Sequence, residues 1–172
     1  MLRSFTLADA IRVRQLAGDR EIALNTLNIP YPYEDGMAEL WIGNHQERFE
    51  RTGEVAFAIT LRENDLLIGA ISLLIKRDWD SAEMGYWVGK EYWGKGHCSE
   101  AARAVLDYGF NVVGLNRIHA SYMDRNPASG RVMEKIGMIY EGCRRQHIKK
   151  WGEFVDLKDY GILKSEYFSH KK

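Results

Sequence analysis

The segment Val88 to Glu100, VGKEYWGKGHCSE, limits what this 172-residue chain can fold into more than any other. A run of strand formers, Ala82 to Val88, stops at Gly89. Glycines recur at 94 and 96, and a helical pattern begins at His97. A strand therefore passes into a helix through a turn whose glycines can rotate N–H groups inward. The helix N-terminus beside it carries about half a positive charge. Lys90 and Lys95 add formal charge. The spacing is neither GxxxxGK[ST] nor GxGxxG, so a nucleotide P-loop and a dinucleotide turn both fail. Two readings stay open on this segment by itself: an anion cradle, and an ordinary glycine-containing connection.

The helix His97 to Phe110 repeats Cys98, Ala101, Ala102, Val105 and Leu106 on one face, and Gly114 closes it. Arg117 to Met123 then reads as a strand. A strand–helix–strand crossover makes the strand ending near Val88 parallel to the one starting near Arg117. The other strands read as antiparallel. Val55–Thr60 and Leu66–Ile75 meet at the turn Glu63-Asn64-Asp65, and Arg77–Ser81 leads into Ala82–Val88. Ile139–Ile148 and Glu153–Leu163 form a closing hairpin around Trp151-Gly152. Helices are expected over Leu7–Ala17, entered through Thr6 and Asp9, and within Glu34–Arg51. A third follows Asn126-Pro127, with Asn126 as cap, Pro127 at the first helical position and Gly137 as the left-handed stop. NIPYPYED, residues 28 to 35, is extended by its prolines. The fold class is α/β with a mixed, mostly antiparallel sheet, one parallel pair and about four helices. No linker or repeat divides it, so residues 1–172 are expected to form a single domain.

Composition narrows the function classes. Lys+Arg and Asp+Glu each number 24, so net charge is zero, which disfavours general nucleic-acid binding. No apolar run reaches the roughly 20 residues that span a bilayer. Arg3, Asp9, Arg12 and Arg14 interrupt the start, which cannot serve as a signal-peptide core. Two cysteines, Cys98 and Cys143, form neither a CxxC pair nor a disulfide framework. The expectation is a cytoplasmic protein with no metal and no membrane partner.

The run AEMGYWVGKEYWGKGHCSEA, followed by DRNPASGRVMEKIGM, resembles the GNAT superfamily of N-acetyltransferases. It is most similar to the branch containing ribosomal-protein N-terminal acetyltransferases. NIPYPYEDGMAELWI and EGCRRQHIKKWGEFVD extend the resemblance over nearly the whole chain. The resemblance implies acetyl-CoA as cosubstrate and an amine as acceptor, a peptide N-terminus or a small molecule. It also implies a splayed pair of parallel strands around the pantetheine arm, with the pyrophosphate on the following helix. The branch has a first strand where this chain begins Met1-Leu2-Arg3, so that strand is expected to be short or absent. A homodimer stays open.

The family's pyrophosphate motif, Gln/Arg-x-x-Gly-x-Gly/Ala, reads here as Trp93-Gly94-Lys95-Gly96-His97-Cys98. Gly96 matches, Trp93 departs from the usual polar residue, and Cys98 replaces a smaller one. Main-chain N–H groups of residues 94 to 99, through Ser99, are expected around the diphosphate. Cys98 could be a thiol activated by a helix N-terminus. Its place on the apolar face favours a small buried hydrophobe instead, and His97 reads as a loop side chain.

Aminolysis of a thioester needs a neutral amine, so a base must take its proton. Glu83 sits where histone-acetylating members place such a glutamate, and a structural ion pair is the competing reading. Alternation puts Glu83, Gly85 and Trp87 on one face and Met84, Tyr86 and Val88 on the other. Backbone N–H groups of Trp87 and Val88 are expected to serve the pantetheine and polarise the carbonyl, a contribution of about 3 kcal/mol. Asn126-Pro127-Ala128-Ser129 resembles the branch's Asn-x-x-Ser signature. Asn126 would touch the pantetheine arm and Ser129 would donate to the departing sulfur. Many members place a tyrosine four residues later, where this chain has Met133. For the acceptor, the branch suggests Tyr31, Tyr33, Trp41, Tyr140, His147 and Asp156, with His147 an alternative base. Packing and a solvated basic hairpin, residues 144–150, are the competing readings.

Overall fold

Gly53, at φ 74°, ends the last of four N-terminal helices and turns the chain into its first long strand. The computed structural model describes residues 1–169. The strands are β1 (Leu2–Arg3), β2 (Glu54–Thr60), β3 (Leu67–Lys76), β4 (Ser81–Val88), β5 (Arg117–Met123), β6 (Ile139–Lys150) and β7 (Glu153–Leu163). They make one seven-stranded sheet in the order β1-β2-β3-β4-β5-β7-β6. Every neighbouring pair is antiparallel except β4–β5, as the crossover requires. The expected turns hold. The Asn64 side chain accepts the Leu66 N–H at 3.1 Å. Trp151 and Gly152 both take positive φ, 50° and 92°, as tight hairpin turns between twisted strands demand.

The described residues contain seven α-helices, more than the four expected. The first begins as a 3-10 turn, Leu7–Asp9, and continues as α1 (Ala10–Ala17). The Asp9 carboxylate accepts the Thr6 N–H at 2.8 Å and is paired to Arg3 at 2.8 Å. α2 (Arg20–Asn25) is too short for periodicity to register, and Asp19 starts it by accepting the Glu21 N–H at 2.7 Å. The stretch Glu34–Arg51 is two helices, α3 (Met37–Gly43) and α4 (His45–Thr52), broken at Asn44. α5 (His97–Asp107) runs into a π-helical turn, Tyr108–Val113, and stops at Gly114 with φ 84°. α6 (Pro127–Lys135) is capped by Asn126, which accepts the Ser129 N–H at 3.4 Å. α7 (Lys164–Ser169) is set by Glu166, whose side chain accepts the Leu163 N–H at 2.8 Å.

Alternation along the strands builds a core on each face of the sheet. On one face Ile71, Leu73, Ile75, Met84, Val88 and Ile118 meet Ala102, Val105 and Leu106 of α5, with Phe110 and Met133. Each fully buried side chain of this size contributes about 1.5–3 kcal/mol. On the other face Ala58 and Leu67 meet Ala10, Val13 and Ala17 of α1 and Ala38 and Ile42 of α3, with Trp87 half-buried beside them. β4 therefore has Met84 and Val88 against α5 and Trp87 against α1, the division its alternation predicts. Helices α1 and α3 cover the β2–β4 part of this second face, while its β5–β7–β6 part holds a smaller apolar cluster, Met123, Val155 and Leu157 with Ile148, beside the paired polar residues Ser121 and Asp159.

Candidate active site

β4 and β5 pair only at Ser81↔Arg117, Ala82↔Ile118 and Glu83↔His119, and then diverge. A cleft of about 970 Å³ opens between them, with the start of α5 and the start of α6 as its other walls. Two contacts keep the walls in place. A Cβ on Gly130 would lie 2.7 Å from the Tyr122 ring, so glycine lets α6 sit close on β5. The Trp93 indole donates to the Val88 carbonyl at 2.6 Å and pins the turn to the strand end.

At the start of α5 the backbone is arranged as an acceptor-seeking surface. Gly94 and Gly96 have φ of 74° and 85°, a conformation that strains any residue with a Cβ. A Cβ at either position would meet no atom within 4 Å, so conformation rather than space demands glycine. The first hydrogen bond of the helix is Glu100 N–H to the Gly96 carbonyl at 3.0 Å. Among the described residues, the amides of residues 94 to 99 donate to no protein acceptor. Six consecutive free donors at a helix N-terminus suit a diphosphate. Lys95 lies beside them with its ammonium 5.6 Å from the Tyr92 ring centroid.

The strand donors differ from expectation in one respect. Gly89 donates to the Ile68 carbonyl at 2.8 Å, and Ala70 stands opposite Trp87 in the same register. In such a ladder the Trp87 N–H is used by Ala70, and the amides of Tyr86 and Val88 point the other way. Trp87 thus contributes its side chain to the cleft wall, while the gap-facing donors on β4 belong to Tyr86 and Val88. The local pattern carries no register, which is why the sequence reading assigned a neighbouring pair.

The remaining groups converge from several elements. Glu83 lines the cleft at the last paired position before the strands splay, beside His119. Burial pulls the His119 imidazole below its ordinary range, against the opposing effect of the Glu83 carboxylate. Asn126 and Ser129 line the α6 wall. Ser129 Oγ lies 2.8 Å from the Tyr86 hydroxyl, which also reaches the Ser129 carbonyl at 3.1 Å. Burial pushes the Tyr86 phenol well above its ordinary range. Cys98 lines the cleft, and burial pushes its thiol up to about 12, so it is no ready nucleophile. His97 faces the cleft with its ring 6.3 Å from that of Tyr92. Sequence reasoning missed His119 and Tyr86. The alternation of Arg117, His119 and Ser121 was a readable signal for the first. The second needed the position of α6.

The acceptor group of residues divides. Tyr33 and Trp41 line the cleft, whereas four others lie elsewhere. Tyr31 packs on Trp151 with centroids 5.8 Å apart, and Tyr140 on Tyr160 at 5.4 Å. Asp156 accepts the Gln146 N–H at 2.7 Å inside the β6–β7 hairpin. His147 Nε2 lies 2.8 Å from an Arg144 nitrogen that can only donate, so its lone pair is already engaged. The hairpin tip takes a role of its own. Buried Lys150 donates to the Thr26 carbonyl at 2.7 Å, and Arg20 lies 5.1 Å from the Trp151 ring centroid. The tip thereby ties down the loop beside the cleft.

A splayed parallel pair, a bare amide row and a glutamate at the splay point are the features the family resemblance implies. The model for the acetyltransferase (GNAT) domain matches residues 1–139. The chain belongs to the GNAT acetyltransferase family. The uncharacterised N-acetyltransferase YnaD of Bacillus subtilis is 40% identical over 111 residues, 64% of this chain and 65% of that protein. The [ribosomal protein uS5]-alanine N-acetyltransferase of Escherichia coli is 27% identical over 89 residues, 52% of this chain and 46% of that enzyme. This chain therefore spans less than two thirds of the length of either relative. Among solved structures, the Vibrio cholerae spermidine N-acetyltransferase in complex with CoA and spermine matches with a TM-score of 0.84 at 25% identity. That match covers 98% of this chain and 97% of the other. Among the described residues of this GNAT chain, no helix is long and apolar enough to cross a membrane.

Proposed function

We propose that this GNAT chain is a single-domain enzyme that moves an acetyl group from acetyl-CoA to a primary amine by direct attack in a ternary complex. The observation that carries the reading is the row of unused amides at residues 94 to 99, aimed at the mouth of the β4–β5 gap. The diphosphate of CoA would take those donors, with Asn126 beside the pantetheine arm and the thioester carbonyl on the Val88 N–H. Glu83 would receive the amine proton directly or through water, with His119 its neighbour at the last paired register of β4 and β5. The Ser129 hydroxyl would support the leaving thiolate.

A small amine is the acceptor this reading favours. The sequence similarity to the spermidine N(1)-acetyltransferase of Vibrio cholerae runs along 99% of the chain, against 52% for the ribosomal-protein enzyme, each at 27% identity. Glu83 also lines the same cleft, and a carboxylate draws a cationic amine, whereas the Glu54 carboxylate is already paired with Arg48. A protein N-terminus is the second reading, supported by the uS5 similarity. The unpaired thiols of Cys98 and Cys143 support a reducing cytoplasm as its compartment.

Calorimetry with CoA, followed by a thiol-release assay, tests the proposal. The panel would hold spermidine, spermine, free amino acids, an aminoglycoside and peptides with alanine or serine N-termini. The expected result is CoA binding, and CoA release with the polyamines above the peptides. No affinity for CoA would overturn the reading. Binding without release on any acceptor would make the chain a CoA-binding module, and peptide preference would select the second reading.

A further inference from the structure

The leaving sulfur needs a hydrogen-bond donor, and the position where related acetyltransferases supply a phenol is here the buried Met133. A phenol does reach this place, from the opposite wall. Tyr86 of β4 extends to α6, where its hydroxyl lies 2.8 Å from Ser129 Oγ and 3.1 Å from the Ser129 carbonyl.

We propose that Tyr86 is a positioning residue: by donating to Ser129 Oγ, it turns the serine proton toward the departing CoA sulfur. The inference rests on the acetyl-transfer reading above. The amine nitrogen bonds to the acyl carbon, the carbon–sulfur bond breaks with its electron pair on sulfur, and the amine proton passes to Glu83 or water. No proton need leave Tyr86 or Ser129. The thiolate accepts from the serine O–H, whose oxygen accepts from the phenol, and each bond polarises the next.

Two arrangements of the protons satisfy the distances. In one, the phenol donates to the Ser129 carbonyl and the serine donates back to the phenol, leaving nothing for a ligand. In the other, the phenol donates to Oγ and the serine proton is free. An anion in the cleft favours the second, because a hydrogen bond to a charge is worth roughly twice a neutral one. Burial keeps the phenol protonated, so Tyr86 ends the chain as a donor and not as an acid.

The test is a double-mutant cycle of Tyr86→Phe and Ser129→Ala, read in two ways. Tyr86→Phe keeps the ring and its packing. The first readout is kcat against KM for acetyl-CoA. Tyr86→Phe should lower kcat about tenfold and leave KM within about twofold. The second readout is the ionisation of the thiol of bound CoA, followed by ultraviolet thiolate absorbance against pH. Each single variant should raise that pKa by about one unit, and the double variant should add nothing. A silent Tyr86→Phe, or effects that simply add, would overturn the inference. So would a loss confined to KM and melting temperature, which is what a purely structural strut between β4 and α6 predicts. These results are distinct from failure of the acetyl-transfer reading, which would appear as an unaltered protein that binds no CoA or releases no thiol.

Discussion

At the α5 end of the cleft the groups proposed to face the ligand are main-chain amides from six consecutive residues, 94 to 99. At the proposed acceptor end the lining is made of side chains drawn from far apart: Tyr33 before α3, Trp41 on α3, Glu54 on β2, Glu83 on β4 and Ser121 on β5. The first site is local, because a strand, two glycines in left-handed conformation and a helix start are enough to build it. The second exists only once the sheet order β2-β3-β4-β5 has been assembled and α3 has docked. Chemistry made from backbone tolerates side-chain change and demands conformation. Chemistry made from side chains demands identity and inherits its position from long-range packing.

The largest effect on CoA affinity should come from attacking the backbone end through conformation. Gly96 sits at φ 85° with no atom near a would-be Cβ, so any loss on substitution reports the backbone and not a clash. Gly96→Val should weaken CoA binding at least about thirtyfold, because a β-branched residue resists this region by a few kcal/mol and would rotate the amides away. Calorimetry checks it, with circular dichroism confirming an intact sheet. Normal CoA affinity in this variant would break the distinction between the two ends.

The acceptor end should respond to identity alone. Glu83→Gln keeps size and hydrogen bonding but cannot take a proton. It should lower kcat about 100-fold, the usual worth of a positioned general base, and leave CoA affinity unchanged. Steady-state kinetics with a true acceptor, beside calorimetry, separates the two quantities. Equal loss in both would mean that Glu83 shapes the cleft rather than acting in it.

This contrast also explains which parts were legible in the sequence. The strand–turn–helix, the parallel pair, the Asn126-Pro127 cap and the Trp151-Gly152 turn are encoded within a few residues, and all are present. α2 and α7 escaped because six residues carry too little periodicity, and their starts depend on single carboxylates, Asp19 and Glu166. The helical stretch before Gly53 hid its break because Asn44 interrupts the ladder without disturbing the apolar spacing. In the site, Trp87 and Val88 were read as a donor pair, yet strand register hands the Trp87 amide to Ala70. Tyr31 and Asp156 adjoin cleft residues in sequence, and Tyr140 and His147 are matched by the family resemblance alone, but the contacts of all four lie in the hairpin and its surroundings. Tyr86 reads as an ordinary core-facing strand residue until α6 is set opposite it.

A scaffold lesion provides the control. The Asp9 carboxylate is nearly enclosed and accepts from Arg3 at 2.8 and 2.9 Å and from Thr6 N–H at 2.8 Å. The Arg3 hydrogen bonds hold Asp9 below the usual carboxylate range against the opposing effect of burial. Its folded pKa is thus depressed, so its stabilisation is fully present above the ordinary value near 4 and is lost as pH falls through the folded value. Asp9→Asn should cost about 2 kcal/mol at neutral pH, and the gap to the unaltered protein should close below about pH 4. Urea melts across pH measure it, and CoA affinity at neutral pH should not change.

The smallest effect should come from the most conspicuous charge. Lys95 lies between the two glycines and would look like the anchor for a diphosphate if formal charge were what held the anion. Its ammonium is instead 5.6 Å from the Tyr92 ring centroid, and Lys95 is exposed. Surface charges near an anion are screened by salt, whereas oriented amides at a helix N-terminus act at contact distance. Lys95→Ala should therefore reduce CoA affinity by less than about threefold at physiological ionic strength, with a modest further dependence on salt. Calorimetry at two salt concentrations, run alongside Gly96→Val, ranks the two contributions directly. If Lys95→Ala proves as damaging as Gly96→Val, the cradle binds by formal charge, and the separation of backbone from side-chain chemistry between the two ends of the cleft fails.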